Sequence, residues 1–426
     1  MLKQIDFTKM PITDVVNEIM YNAAQSGASD IHFDPKDTSM KVRFRIDGIL
    51  IDYLIVPDSV KKNLVARIKI LAGMDITESR LPQDGAIKVS IKDINLDMRV
   101  SSLPTNEGEK IVIRILDYSA SLNGLDNLGF TQNNLIKVKE LIKEPNGIIL
   151  VTGATGSGKS TTVYSLLQTI NTSEVNIVTV EDPVEMSIDG INQIQVNSEI
   201  GLTFANVLRS ILRQDPDIIM IGEIRDTETA KIAVRASITG HLVLSTLHTN
   251  DALSTIERLT DMEVERYLLA SSLKGIISQK LARRLCSKCI KTRPAIEFEK
   301  QIVKKNLNID IENVYYSEGC DECVGGYKGR IALHEVLLIS DEIQDAISNS
   351  ASKDVLRSLV YKNDTKTLLQ DGLQKAIEGK TSIEEVLRLV ELDDEDASLL
   401  MNMQKNKENI QKTTENEIPE SEMLEM

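Results

Sequence analysis

Residues 147–170 read Gly147-Ile-Ile-Leu-Val-Thr-Gly-Ala-Thr-Gly-Ser-Gly-Lys-Ser-Thr-Thr-Val-Tyr-Ser-Leu-Leu-Gln-Thr-Ile170. An apolar run, Ile148–Val151, leads into Gly-x4-Gly-Lys-Ser, and helical spacing follows from Thr161 to Ile170. Strand, glycine-rich loop and helix in that order form a phosphate-binding loop. Gly153, Gly156 and Gly158 let the backbone curl so that successive N–H groups face phosphate oxygens, with Ala154, Thr155 and Ser157 between them. A helix beginning near Lys159 adds the positive end of its dipole. Lys159 supplies a point charge for the β- and γ-phosphates, and the Ser160 hydroxyl suits Mg²⁺.

From Phe130 onward helical stretches alternate with apolar runs at 147–152, 176–181, 218–222 and 241–246. That alternation predicts an α/β domain built on a mostly parallel sheet with helices on both faces. Upstream the pattern differs. A helix over 11–27, closed by Gly27, precedes alternating runs at 30–34 and 40–46 and a turn at Asp47-Gly48. A helix over 58–72 and strands at 86–91, 95–101 and 110–116 follow. The expected organisation is an α+β unit over 1–118, a linker over 119–130 and the α/β core over 131–283. A cysteine element covers 284–330, a helical region 331–390, and a disordered acidic tail 391–426.

Bulk properties narrow the function. Aromatic residues make up 4% of the 426 residues and there is no Trp, which disfavours a base-stacking or carbohydrate platform. The net charge is −15, and the tail carries 11 acidic against 3 basic side chains. The remaining body is still acidic, so a sequence-independent nucleic-acid footprint is not expected. The N-terminus has no charged-then-apolar leader, and no run reaches the length of a membrane-spanning helix. A cytoplasmic protein is expected, reaching a membrane only through partners.

Two further acidic strand ends join the phosphate loop. Asp217-Ile-Ile-Met-Ile-Gly-Glu223 is an apolar strand ending in a carboxylate suited to hydrated Mg²⁺. Val178-Thr-Val-Glu-Asp-Pro-Val-Glu185 places Glu181, Asp182 and Glu185 at the carboxyl end of another strand, where ligands of open α/β sheets bind. Solvated strand-end charges are the plain alternative for this second cluster. His241 and His248 flank the run Leu242–Leu247; their odd separation predicts opposite faces, so only one of them reaches nucleotide. All four cysteines fall in two Cys-x-x-Cys pairs, Cys286/Cys289 and Cys320/Cys323, a pattern that favours a closed four-thiolate Zn²⁺ site of structural type.

With those residues in view, the chain resembles the secretion ATPases of type II secretion and type IV pilus assembly. The resemblance spans about residues 11–390. It rests on Leu212-Arg-Gln-Asp-Pro-Asp-Ile-Ile-Met-Ile-Gly-Glu-Ile-Arg-Asp226 and on Gly240-His-Leu-Val-Leu-Ser-Thr-Leu-His-Thr-Asn250. Upstream it rests on Ala28-Ser-Asp-Ile-His-Phe-Asp34, Arg43-Phe-Arg-Ile-Asp-Gly48, Gly73-Met-Asp-Ile76 and Leu81-Pro-Gln-Asp-Gly85. It implies a RecA-like P-loop ATPase domain, a smaller PAS-like α+β N-terminal domain and a small zinc-binding insertion.

The resemblance further implies that Gly153–Ser160 and Thr161 bind the ATP phosphates, that Glu181 is the general base, and that Glu223 works with Mg²⁺. His241 and His248 would sense nucleotide, and Arg99 and Arg114 would reach the γ-phosphate from the N-terminal unit; surface arginines on a strand are the plain alternative. The tetracysteine element points to the assembly and secretion branch rather than to retraction motors. The implied protein is a homo-hexameric motor acting on an inner-membrane platform to build a type IV pilus or a pseudopilus for secretion or DNA uptake. A nucleotide-gated scaffold with little turnover is the alternative of another class, and a retraction motor the alternative within the enzymes. Two departures are expected: Val324-Gly-Gly-Tyr327 is one residue shorter than the family path after Cys323, and the family's first N-terminal domain is missing ahead of residue 11.

Overall fold

A computed structural model describes residues 3, 5–7, 9–116, 124–362, 365–392 and 396–397. It divides into two compact units, residues 1–119 and 120–426. Among the described residues no helix is long and apolar enough to cross a membrane.

The first unit runs α1 (Ile12–Gln25), β1 (Ala28–Lys36), β2 (Ser39–Ile46), β3 (Ile49–Pro57), α2 (Asp58–Leu71), β4 (Gln83–Ile91), β5 (Ile94–Thr105) and β6 (Gly108–Leu116). Its six strands form one sheet in the order β3-β2-β1-β6-β5-β4. Strand β3 escaped the sequence reading because Ile49-Leu-Ile-Asp-Tyr-Leu-Ile-Val-Pro57 is apolar almost throughout and shows no alternation. One face of the sheet carries Ile31, Phe33, Val42, Phe44, Met98, Ile111 and Ile113, packed under α1 and α2 through Val15, Val16, Ile19, Leu64 and Ile68.

The opposite face holds a row of charge. Arg45, Asp30, Arg114 and Arg99 are register partners across β2, β1, β6 and β5. The Arg114 Nε lies 3.0 Å from Asp30 Oδ1 and the Arg45 Nε 3.8 Å from Asp30 Oδ2. Next to it, Arg43 and Lys110 pair with Asp34. Burial pushes the Asp34 carboxyl up, but these two cations outweigh it and hold it below its ordinary value.

The second unit runs α3 (Gln132–Leu141), β7 (Gly147–Thr152), α4 (Lys159–Ile170), β8 (Ile177–Glu181), β9 (Asn192–Gln195), α5 (Phe204–Ile211), β10 (Ile218–Ile221), α6 (Thr227–Ile238) and β11 (Leu242–Leu247). Then come α7 (Ala252–Asp261), α8 (Arg266–Ser272), β12 (Leu273–Leu285), β13 (Ile290–Pro294), α9 (Glu297–Leu307), β14 (Asn313–Ser317) and β15 (Tyr327–Leu338). Helices α10 (Asp341–Ser348), α11 (Lys353–Lys362), α12 (Leu368–Ile377) and α13 (Ile383–Leu389) complete it. The seven-stranded sheet has the order β15-β12-β7-β11-β10-β8-β9. Every neighbouring pair is parallel except β12 with β15. Strands β7, β8, β10 and β11 are buried on both faces, as expected of a parallel sheet between helical layers.

Three sequence expectations need correction. Part of the supposed linker belongs to the second unit: Leu125 is buried, and Phe130 stacks on His334 with ring centroids 3.9 Å apart. Residues 119–123 lie outside the described residues. The cysteine element is not a separate block, since β12 and β15 run from the main sheet into it, and α9 shares one core with α12 and α13 through Phe298, Ile302, Val303, Leu373, Ile383 and Val386. The expected tail begins as packed structure: Asn250 Nδ2 donates to Glu391 Oε1 at 2.8 Å, and buried Asp396 pairs with Lys305 at 2.8 Å. Residues 398–426, the bulk of that tail, lie outside the described residues.

Candidate functional site

The loop 153–158 leaves the carboxyl end of β7, an inner strand between β12 and β11, and becomes α4 at Lys159. Gly158 caps α4 at φ 90°, a left-handed conformation that a side chain would strain. Gly153 has φ 146°, and a Cβ there would press into the Gln279 carbonyl and the Ser157 hydroxyl. The Lys159 ammonium lies back across the loop, donating to Gly153 O at 2.8 Å and Ala154 O at 3.1 Å. Partial burial holds its pKa below the ordinary lysine value, with Glu223 opposing that fall. The Ser157 hydroxyl is buried without a hydrogen-bond partner. A cradle too tight for a Cβ and an orphaned hydroxyl within it suit a polyphosphate ligand.

A brace that motif reading did not find supports the loop from β12. The Gln279 side-chain amide donates to Ser157 O at 2.7 Å and accepts from Thr162 Oγ1 at 2.8 Å. Beside it Thr152 and Ser278 share a hydroxyl–hydroxyl bond of 2.8 Å. Gln279 is 1% exposed. Strand β12 also holds Lys274, Ser278, Lys280, Arg283 and Arg284, so no sequence signal sets Gln279 apart.

Three other strands deliver side chains to the same sheet edge. Glu223 follows β10, forms an ion pair with Arg225, and lies 3.5 Å from the His248 Nε2 through its Oε2. Asp182 follows β8 and lies 3.7 Å from Arg225. His248 follows β11.

His241 does not join them. It precedes β11 at the amino-terminal edge of the sheet, and its ring bonds Ala236 O at 2.8 Å. The sequence argument from opposite faces separated the right residue for the wrong reason. The two histidines stand at opposite ends of a six-residue strand, about 20 Å of chain.

Glu181 also departs from expectation. It is 3% exposed, and three donors occupy its carboxylate: Tyr164 Oη on one oxygen, and Thr179 Oγ1 at 2.5 Å and Gln193 Nε2 at 3.0 Å on the other. A general base needs a free oxygen within reach of water. Glu181 lacks that exposure, and its geometry is that of a buried hub. Glu185, four residues on, is half-buried in the loop beyond β8.

The four cysteine sulfurs converge. All ligand atoms lie within 4.8 Å of one another, with Cys286–Cys320 at 3.9 Å, Cys289–Cys323 at 3.7 Å and Cys320–Cys323 at 3.6 Å. Zinc–thiolate bonds of about 2.3 Å in a tetrahedron place sulfurs about 3.8 Å apart, so the four residues fit Zn²⁺. Each Cys-x-x-Cys is a tight turn, closed by Cys289 N to Cys286 O at 3.3 Å and Cys323 N to Cys320 O at 3.2 Å. Within Val324-Gly-Gly-Tyr327 the Gly326 carbonyl accepts from Cys286 N at 2.9 Å.

The chain is similar to known proteins over most of its length. The family described as Type II/IV secretion system protein matches residues 6–388. The type II secretion system ATPase E of Vibrio cholerae is 46% identical over 380 residues, covering 89% of this chain and 75% of that protein. The type IV pilus assembly ATPase PilB of Thermus thermophilus is 46% identical over 374 residues, covering 87% of this chain and 42% of that protein. Among solved structures, the pilus retraction motor PilT with bound ADP superposes with a TM-score of 0.61 at 27% identity, covering 89% of this chain and 98% of that one.

Proposed function

Because the chain belongs to the Type II/IV secretion system protein family, we propose that it is a ring-forming ATPase motor that drives assembly of a pilus or pseudopilus. The observation that carries this reading is the convergence of the Lys159 loop, Glu223, Asp182 and His248 on the carboxyl edge of one sheet. In this reading residues 153–161 hold the phosphates of ATP, and Lys159 moves from the loop carbonyls onto the β- and γ-phosphates. Ser160 and Glu223 would hold Mg²⁺, which supplies charge neutralisation on the phosphate oxygens. Glu185, on the more exposed part of the loop after β8, takes the proton of the attacking water in place of the buried Glu181. His248, bound to Glu223, senses the γ-phosphate.

Arg99 and Arg114 belong to the charged row of the first unit, and the reading makes them electrostatic stabilisers of the transferring phosphoryl group. Asp30 pairs with the Arg114 Nε at 3.0 Å and so restrains it. The four cysteines hold a structural Zn²⁺. That element, with the identity to secretion and pilus-assembly relatives, supports assembly over retraction. A homo-hexamer in the cytoplasm, recruited to an inner-membrane platform protein, completes the proposal.

A steady-state ATPase assay tests it. Wild type should turn over ATP, and Glu223→Gln should lose about 10²-fold or more in kcat with ATP binding retained. Equal turnover in both proteins would sink the assignment, and no turnover in wild type would favour a nucleotide-gated scaffold.

A further inference from the structure

The acidic loop after β8 is tied down by two side chains to which the reading so far gives no task. Tyr164 lies on α4, one turn beyond Ser160 and on the same helical face. Its hydroxyl donates to the buried Glu181 carboxylate and accepts from the Glu185 backbone N–H at 3.0 Å. Gln193, on β9, grips the same loop further along. Its Nε2 donates to Glu181 Oε1 at 3.0 Å and to Met186 O at 2.9 Å, and its Oε1 accepts from Ile188 N at 2.8 Å. Residues 181–188 are therefore fastened at Glu181, Glu185, Met186 and Ile188 by one tyrosine and one glutamine. Tyr164 is 1% exposed, and burial keeps its hydroxyl protonated far above neutral pH, so it remains a donor wherever the protein works.

We propose that Tyr164 and Gln193 are positioning residues that hold the Glu185 loop in fixed register with the phosphate loop, using the buried Glu181 carboxylate as their common anchor. The inference rests on the ATPase reading above. The helix whose first turn meets the phosphates is the helix that grips the loop carrying the base. The distance between phosphate and base is thereby set by α4, a single rigid element, rather than by the long path through β8. Neither residue touches the nucleotide. Their effect is on the aim of Glu185, which matters only when water is attacked, so they act on kcat and leave ATP affinity nearly alone.

The test is a kinetic cycle on the full-length protein. Wild type and Glu185→Gln are measured first; absence of turnover in wild type would fail the ATPase reading itself, separately from this inference. Tyr164→Phe keeps the ring and deletes the hydroxyl. It should lower kcat about 10- to 100-fold while the KM for ATP changes less than about threefold. In a Glu185→Gln background the same substitution should cost less than about threefold, because there is no longer a base to aim. Gln193→Met, of similar length without the amide, should reproduce the split if Tyr164→Phe folds poorly. A wild-type kcat in both variants, or an undiminished loss in the Glu185→Gln background, overturns the proposal.

Discussion

The phosphate loop and the tetracysteine element are both glycine-containing turns at strand ends, and they are built to opposite purposes. The phosphate loop turns its polar groups toward an open edge. Its lysine rests on backbone carbonyls at 2.8 and 3.1 Å, a hydroxyl has no partner, and the loop's rigidity comes from outside, through Gln279. The cysteine element turns inward. Its four sulfurs converge within 4.8 Å, and each Cys-x-x-Cys turn closes on its own backbone, at 3.3 and 3.2 Å. A cradle meant to exchange its ligand leaves donors unspent and borrows support from elsewhere; one meant to keep its ligand satisfies itself.

Removing ligands from the inward site should have the largest effect on the fold. Cys286→Ser with Cys320→Ser leaves two thiolates, and metal-binding energy is folding energy in such an element. Zinc content should fall from one per chain to none by elemental analysis, with Tm lower by more than about 10 °C. Unchanged Tm with no zinc in wild type would break the comparison at its closed end.

The outside support of the open site predicts the next effect. Gln279→Ala should lower ATP turnover about 10²-fold, with Tm reduced by only a few degrees, because the loop loses its brace but keeps its sequence. Turnover within twofold of wild type would mean the loop holds itself, as the cysteine element does.

The smallest expected effect lies away from both sites, in the pH dependence of stability. Glu335 on β15 accepts from Ala252 N at 2.8 Å at the start of α7, and burial pushes its carboxyl up to about 7. A raised carboxyl contributes stability that is complete below its ordinary value near 4.5 and is lost as pH rises toward 7. Wild type should lose on the order of 2 kcal/mol across that window relative to Glu335→Gln, read from urea unfolding at pH 5 and 8. Parallel pH profiles for the two proteins would discard the argument.

What the chain discloses before folding follows the same division. The phosphate loop is eight consecutive residues in a strand–loop–helix setting, so its chemistry and its place in the fold are legible together. The cysteines announce their cluster through residue type and paired spacing. Glu181 misled because its position at a strand end is visible while Tyr164, 17 residues earlier, and Gln193, 12 later, close over it only in three dimensions. Gln279 carries no motif at all. His241 and His248 show that parity along a strand says nothing about which edge of the sheet a flanking residue occupies. Asp396 looked like one more tail charge, and Lys305 and Asn306, 91 and 90 residues away, give it a place.

Strand β12 joins the two kinds of site. Gln279, on β12, grips the phosphate loop, and Cys286, which faces the metal position, comes seven residues later, directly after the strand's last residue. An extended chain already spans about 3.3 Å per residue, close to its contour limit, and cannot lengthen. It behaves as an inextensible tie-rod about 23 Å long. A pull at the loop end is carried toward the metal end, with the irregularity between Arg283 and Leu285 as a place to bend.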